Sequence, residues 1–534
     1  MREALRSCSQ LQADPNQAKE SKTFIDNMLL TAAIIAAAAY AKNNDGEGGD
    51  AGDSEASPQN MDALFLQNKA SIDLLPLEQT LLTMEHPINT VSFYSVSSSC
   101  DMEAVVKKLE GRVHEILKAN PWLGGWYVKG LKNGSFDNTP RIWYDTFGDE
   151  MAPNLFQVLS DEDVPITSTT PFLDYEKIPS NSTALVKTNP KIVNRKEESM
   201  FRVTAIVSKD KNEIALITSM SHICGDGHTY YRIHNMLLGE PIIAMIPERE
   251  LRYSEKVMDL MGRQEAHYIS HITTDPVWAK LLRLTSEVEE DPGSELHLRT
   301  FVVNQHWVGN IKAAHMSEGT ITDITKSTMR SPMANAFNFQ MENSQNPTQS
   351  TNDIIVSWFW NLVKPNVGLM AVNMRGRVDI VSEHHAGNYH NPIPYTDRED
   401  YKSPLMIRES LATCRRAGRV PGSSMRTELP QPSPDLTFSI ISNWASFRPP
   451  AFKAEEEEEQ NESNLPWNSN GVNLIRHLPI MFPARLTKTM PKRMSFLVIF
   501  SCGNEDIGCV LMAPQRVIDE IDTCGIVQEM IAKF

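Results

Sequence analysis

The chain has 534 residues, of which 41% are hydrophobic and 22% charged, and its formal net charge is −16. At about 150 residues per domain this predicts two to four domains of ordinary globular composition, with large cores. Five acids in Asn43–Pro58 and six in Glu455–Glu462 carry most of the excess, so the rest is nearly neutral and offers no basic surface to nucleic acid.

The first 59 residues read as an extension. Met28–Ala41 (MLLTAAIIAAAAYA) is apolar but, as a helix, spans only about 21 Å against a bilayer core of about 30 Å. Two readings stay open: an Ala-rich helix or peripheral anchor, and a signal or membrane anchor, because Ala39-Tyr40-Ala41 resembles a cleavage site. Residues 28–41 are therefore the candidate for membrane association in a chain otherwise expected in the cytoplasm. The acidic, Gly-rich segment that follows reads as a flexible linker.

Two patterned halves are expected beyond it, residues 60–290 and 291–534. Asp101 caps a predicted helix with Met102, Val105, Val106, Leu109, Val113, Ile116 and Leu117 on one face, stopped by Pro121. Phe201–Val207 and Glu213–Met220 read as strands joined by a turn, followed by a loop and a helix near Thr229–Leu238. The second half repeats this plan. Met494–Ser501 and Asp506–Ala513 read as strands. Pro514 then opens a predicted helix with Val517, Ile518, Ile521, Val527, Met530 and Ile531 on one face. The crossover is expected near Glu287–Leu298, and a polar, acidic insertion near 453–470.

Seven cysteines, odd in number, widely spaced and without a CxxC, argue against a disulfide framework or zinc ribbon and for reduced thiols. GxxxxGK[ST], HExxH and GxGxxG are absent. Glu383, His384, His385 and His390 lack a fixed ligand spacing, so a solvated loop is preferred to a metal site, and no metal is expected.

The informative loop is Ser221-His222-Ile223-Cys224-Gly225-Asp226-Gly227, between a predicted strand and a predicted helix. In the bland reading His222 ends a strand, Asp226 caps the helix and Gly227 makes a turn. In the functional reading His222 is a general base, since neutral imidazole suits proton removal from a hydroxyl or amine near pH 7. Asp226 then braces the loop. Cys224 reads as a packing residue rather than a nucleophile.

His222–Gly227 matches the HxxxDG signature of the CoA-dependent acyltransferase superfamily, which includes chloramphenicol acetyltransferase, peptide-synthetase condensation domains and the plant BAHD acyltransferases. Further segments resemble that superfamily in the same order: Ile116–Gly124 (ILKANPWLG), Thr351–Phe359 (TNDIIVSWF), Asn373–Arg377 (NMRGR, a strand there), His385–Tyr389 (HAGNY) and Ser439–Trp444 (SIISNW). Together they span about residues 75–530. The BAHD DFGWG segment is missing after Trp444, His385 and Ala386 stand where aromatics are usual, and Ser221 replaces a second histidine common in condensation domains. The resemblance is thus to the superfamily rather than to its BAHD branch.

The resemblance implies an α/β fold of two chloramphenicol-acetyltransferase-like subdomains, each a mixed β-sheet flanked by helices, with the active-site channel between them. It implies an acyltransferase, for groups other than aminoacyl groups, that needs no tightly bound cofactor. Acyl-CoA is its co-substrate and a small-molecule alcohol or amine its acceptor; a monomer is expected. By the same resemblance His222 takes the acceptor's proton, and Ser442 donates to the oxyanion. Gly227, Trp444 and Asn388 line the substrate, and Arg375 or Arg377 braces Asp226. The alternatives are a catalytically silent member acting as a binding or scaffold protein, and a condensation-type enzyme using a carrier-protein thioester.

Overall fold

The computed structural model describes residues 69–79, 87–129, 140–146, 155–172, 175, 183–187, 199–262, 265–266, 296–317, 349–417, 430, 433, 436–447, 471–480, 494–503 and 506–533. The extension 1–59, with its apolar stretch 28–41, and the acidic insertion 453–470 lie outside them, as do residues 287–295 of the expected crossover. Among the described residues, no helix is long and apolar enough to cross a membrane.

In chain order come β1 (Lys69–Asp73), a 3-10 turn (Pro76–Gln79), β2 (Ile88–Val96), α1 (Met102–Ala119), a 3-10 turn (Pro121–Gly124), β3 (Trp126–Lys129), β4 (Pro140–Asp145) and β5 (Phe156–Ser160). Then follow β6 (Phe201–Ser208), β7 (Glu213–Met220), α2 (Gly227–Leu237), α3 (Tyr253–Met261), β8 (Leu296–Val303), α4 (Gln305–Ser317) and α5 (Thr351–Val363). The remainder is β9 (Val367–Asn373), β10 (His390–Tyr395), α6 (Pro404–Thr413), β11 (Phe438–Asn443), β12 (Val472–Pro479), β13 (Met494–Gly503), β14 (Asp506–Pro514), α7 (Gln515–Thr523) and β15 (Val527–Lys533).

The fold is α/β with mixed sheets. One sheet has the order β12-β2-β7-β6-β5, with only the β5–β6 pair parallel. The other has the order β10-β9-β11-β13-β14-β8-β15, in which β11 runs parallel to both its neighbours. A small antiparallel sheet joins β1, β4 and β3. The strand β12 comes late in the chain yet pairs with β2, so the second half of the sequence completes the sheet of the first.

Side chains on a strand alternate between faces, and the central strands are apolar on both. Along β7, Ile214 and Leu216 join a core under α1 and α2, whereas Ala215 and Ile217 point the other way. That second face meets Leu298 and Val302 of β8, Val498 and Phe500 of β13 and Val510 and Met512 of β14. The two large sheets are therefore cemented face to face by apolar side chains, each worth about 1.5–3 kcal/mol when fully buried. Asp101 caps α1 by accepting from the Glu103 amide at 3.0 Å, and Val105, Leu109, Val113, Ile116 and Leu117 are its buried stripe, as the periodicity predicts.

The helix expected from Pro514 through Ile531 is shorter. It stops at Thr523, Gly525 takes a positive φ of 82°, and Val527–Lys533 is an edge strand on β8. Register shifts between Val527 and Glu529 and between Met530 and Ala532 break the period of two, which leaves an apolar spacing that mimics a helix. Leu296–Leu298, expected in the crossover, already belongs to β8.

Candidate active site

The HxxxDG loop runs from the end of β7 to the start of α2. Asp226 caps α2: its Oδ1 accepts from the Thr229 amide at 3.1 Å and from the Thr229 hydroxyl at 3.2 Å. Its other oxygen, Oδ2, accepts from Arg375 Nη1 at 2.8 Å and from the Tyr389 amide at 2.9 Å. The cap and the ion pair are thus made by one carboxylate with different oxygens. Burial opposes its charge, but the Arg375 guanidinium outweighs that and holds the carboxyl far below the usual carboxylate range.

Arg375 follows the end of β9 and is 3% exposed. It uses every donor it has: Nε on the His385 carbonyl, Nη1 on Asp226 and Asn373 Oδ1, and Nη2 on the Thr229 hydroxyl and the Gly387 carbonyl. Arg377 points elsewhere, to the Leu411 carbonyl and Cys414 Sγ at the end of α6, so Arg375 is the partner of Asp226 and Arg377 is not. The reason is local. The strand ends at Asn373, earlier than the expected strand through Arg377, and Gly376 turns the chain with a φ of 68° between the two arginines.

A second buried ion pair, which no motif announces, lies beside the first. Glu78 and Arg249 meet at 3.0 Å with both side chains fully buried. Arg249 also donates to the carbonyls of Pro247, Ala386 and Cys224. Glu78 accepts from the Asn388 amide and from Asn388 Nδ2, and that same Nδ2 donates to the His222 carbonyl at 2.8 Å. Asn388, expected among the substrate-lining residues, is therefore a fully buried clamp on the backbone of His222.

His222 retains partial exposure, while its Nδ1 is buried without a hydrogen-bond partner among the described residues. Burial pushes its imidazole below the ordinary value, and its own carbonyl, Asp226, Asn388 and Glu78 pull the other way without cancelling the shift. The ring is thus neutral near pH 7. Burial pushes the Cys224 thiol up to about 12, which suits packing and not attack.

The opposite wall comes from the end of β11. Trp444 Nε1 donates to Ser442 Oγ at 2.9 Å, so the indole N–H is already engaged and the serine proton is free to turn elsewhere. A Cβ on Gly227 would sit 3.5 Å from Trp444 Nε1 and 3.6 Å from Phe447, which places this wall against the first turn of α2. His222, Gly227, His390, Ser442 and Trp444 keep partial exposure, whereas Asp226, Arg375, Asn388, Glu78 and Arg249 are buried. The first group is partly open to solvent and the residues that support it are closed.

No family model matches the chain, and no curated relative is matched. Among solved structures it is similar to F. sporotrichioides TRI101 complexed with coenzyme A and T-2, at 13% identity over 87% of this chain and 100% of that one, with a TM-score of 0.49. It is also similar to vinorine synthase, at 14% identity over 90% and 97% of the two chains and a TM-score of 0.46. A third similarity is to the condensation domain of the monacolin K polyketide synthase MokA, at 11% identity over 84% and 94% and a TM-score of 0.45.

Proposed function

We propose that the chain is an acyltransferase that moves an acyl group from acyl-CoA to a hydroxyl or amine, with His222 as general base and no covalent intermediate. The observation that supports this best is a partly exposed imidazole whose backbone is clamped by the buried Asn388 amide, itself tied to the buried Glu78–Arg249 pair. An imidazole of that kind is fixed in place yet free at its outer edge to take a proton.

In this reading the acceptor oxygen or nitrogen attacks the thioester carbonyl as His222 Nε2 takes its proton. Nδ1 is buried, which leaves Nε2 as the edge that can reach an acceptor. The carbonyl oxygen becomes an oxyanion and receives the Ser442 proton as a hydrogen bond; the Trp444 indole orients that hydroxyl rather than binding substrate. The carbon–sulfur bond then breaks, and the thiolate takes the proton back from His222. Asp226 touches no substrate and acts as a brace.

The test is mass spectrometry of products from a matrix of acetyl-, malonyl- and long-chain acyl-CoA against alcohols and amines, with thiol release followed in parallel. New ester or amide products and sequential kinetics are expected. A stable acyl group trapped on Cys224 or Ser442 of the wild-type chain refutes the mechanism, and no thiol release across the panel refutes the activity.

A further inference from the structure

The loop presents a second imidazole. His390 opens β10, one residue after Tyr389, whose amide is tied to Asp226, and two after Asn388. Its position is therefore as fixed as that of His222. The two rings have their centroids 6.1 Å apart, and the His390 side chain is 25% exposed.

The inner edge of His390 is defined. Its Nδ1 is buried, lies 3.9 Å from Asp226 Oδ2, and has no hydrogen-bond partner among the described residues. A carboxylate at that range favours the proton on Nδ1 and leaves the lone pair on Nε2, at the outer edge. Asp226 does not draw the ring into an ion pair, because Arg375 and the Tyr389 amide already occupy that oxygen. Burial pushes His390 down to about 4, with His222 and Arg375 adding to the shift and Asp226 opposing it. Near pH 7 the site thus offers two neutral imidazoles.

Only one of these can take the proton from the attacking atom. We propose that His390 binds the acceptor, accepting through Nε2 a hydrogen bond from a second donor group while His222 deprotonates the first. The acceptor is accordingly a polyfunctional molecule, such as a diol or amino alcohol, with the two donors a few ångström apart. This inference rests on the acyltransferase reading above and adds the acceptor's class to it.

The donor–acceptor matrix supplies the acceptor. Kinetics are then measured for the wild type, His390→Leu and His390→Gln, using that acceptor and analogues lacking each of its other hydroxyl or amino groups in turn. Removing the right donor should cost the wild type about three- to tenfold in kcat/KM, the worth of one neutral hydrogen bond, and should cost His390→Leu nothing. His390→Gln, which still offers an acceptor oxygen, should keep part of the discrimination, and the KM for acyl-CoA should match in all three. An equal penalty in wild type and His390→Leu overturns the assignment, as does a screen that yields only monofunctional acceptors. A wild-type chain that acylates nothing overturns the acyltransferase reading itself, a result distinct from transfer without discrimination.

Discussion

Removal of the Asp226 carboxylate separates bracing from chemistry. In Asp226→Ala, Arg375 loses its counter-ion in a place where it is 3% exposed, and the Thr229 and Tyr389 amides lose their acceptors. A stranded buried charge costs about 3–5 kcal/mol, and loss of a helix N-cap about 1 kcal/mol more. Arg375→Ala is a different injury. Asp226 keeps both amide donors and the Thr229 hydroxyl; the His385 carbonyl loses the Arg375 donor, while the Gly387 carbonyl keeps the Asp226 amide and the Thr229 hydroxyl. The double variant leaves no stranded charge, so its cost should fall about 1–3 kcal/mol short of the two single costs added, the range for residues in one network. Urea unfolding of the four proteins at pH 7.5 measures this. Arg377→Ala is the control. Arg377 bonds Leu411 and Cys414 at the end of α6, whereas Asp226 is held by Arg375 and the Tyr389 amide, so its removal should add to Asp226→Ala without coupling. Strict additivity for Asp226 with Arg375, or an Asp226→Ala protein with the wild-type midpoint, would falsify the brace.

His222→Ala should lower turnover about 10²–10⁴-fold while leaving the unfolding midpoint near that of the wild type; a folded variant with normal turnover rules out the base. Because burial lowers the His222 pKa, kcat/KM should hold steady as pH falls past about 6.5 and drop only at a lower pH; an acid limb at or above 6.5 contradicts the buried ring. Stability should also depend on acid. His234 is pushed down to about 3 and His390 to about 4 by burial, and His477 is lowered too, so below about 6.5 the unfolded chain binds protons that the folded chain refuses. Stability is then full above 6.5 and is lost as pH falls toward 4, with His234 alone accounting for about 2 kcal/mol by pH 5; melting temperatures that are flat from pH 7.5 to 5 refute this. Finally, Gly225→Ala should destabilise, since its Cβ would lie 2.5 Å from Thr229 Cβ, whereas Gly227→Ala meets only ordinary contacts at 3.5 Å and should fold; equal melting losses for the two argue against this loop geometry.

What the sequence revealed and what it concealed divide by range. The α1 stripe, the β6–β7 hairpin and the loop beyond it are set by neighbours a few residues apart, and periodicity with caps finds them. The pairing of β12 with β2 joins residues hundreds of positions apart, and nothing in Val472–Pro479 says which sheet it enters. Glu78 and Arg249 are separated by 171 positions and belong to no motif, so their fully buried pairing had no local sign. His390 stood in a histidine-rich run that was readable only as a metal question, because its nearness to His222 depends on the turn through Gly387, which takes a φ of 131°. The two arginines of NMRGR looked equivalent until the turn at Gly376 parted them.

The two buried ion pairs also limit what this site can do with charge. Arg375 spends all five donors on protein groups, and Arg249 is bound by Glu78 and three carbonyls. Neither guanidinium is open to a phosphate or carboxylate on a ligand, although both lie beside the HxxxDG loop. Each anion that could compete for them is already internal, and each is held by backbone amides as well. The free energy of these contacts therefore orders the loop without need of a ligand. Preorganised groups of this kind lower a barrier by fixing the reacting edge rather than by binding the ligand. The residues of the site described above that keep partial exposure are uncharged: the imidazoles of His222 and His390, the Ser442 hydroxyl and the Trp444 indole. Uncharged groups over a saturated charged floor suit the uncharged reacting centre of the proposed reaction, a thioester carbonyl meeting a hydroxyl or free amine.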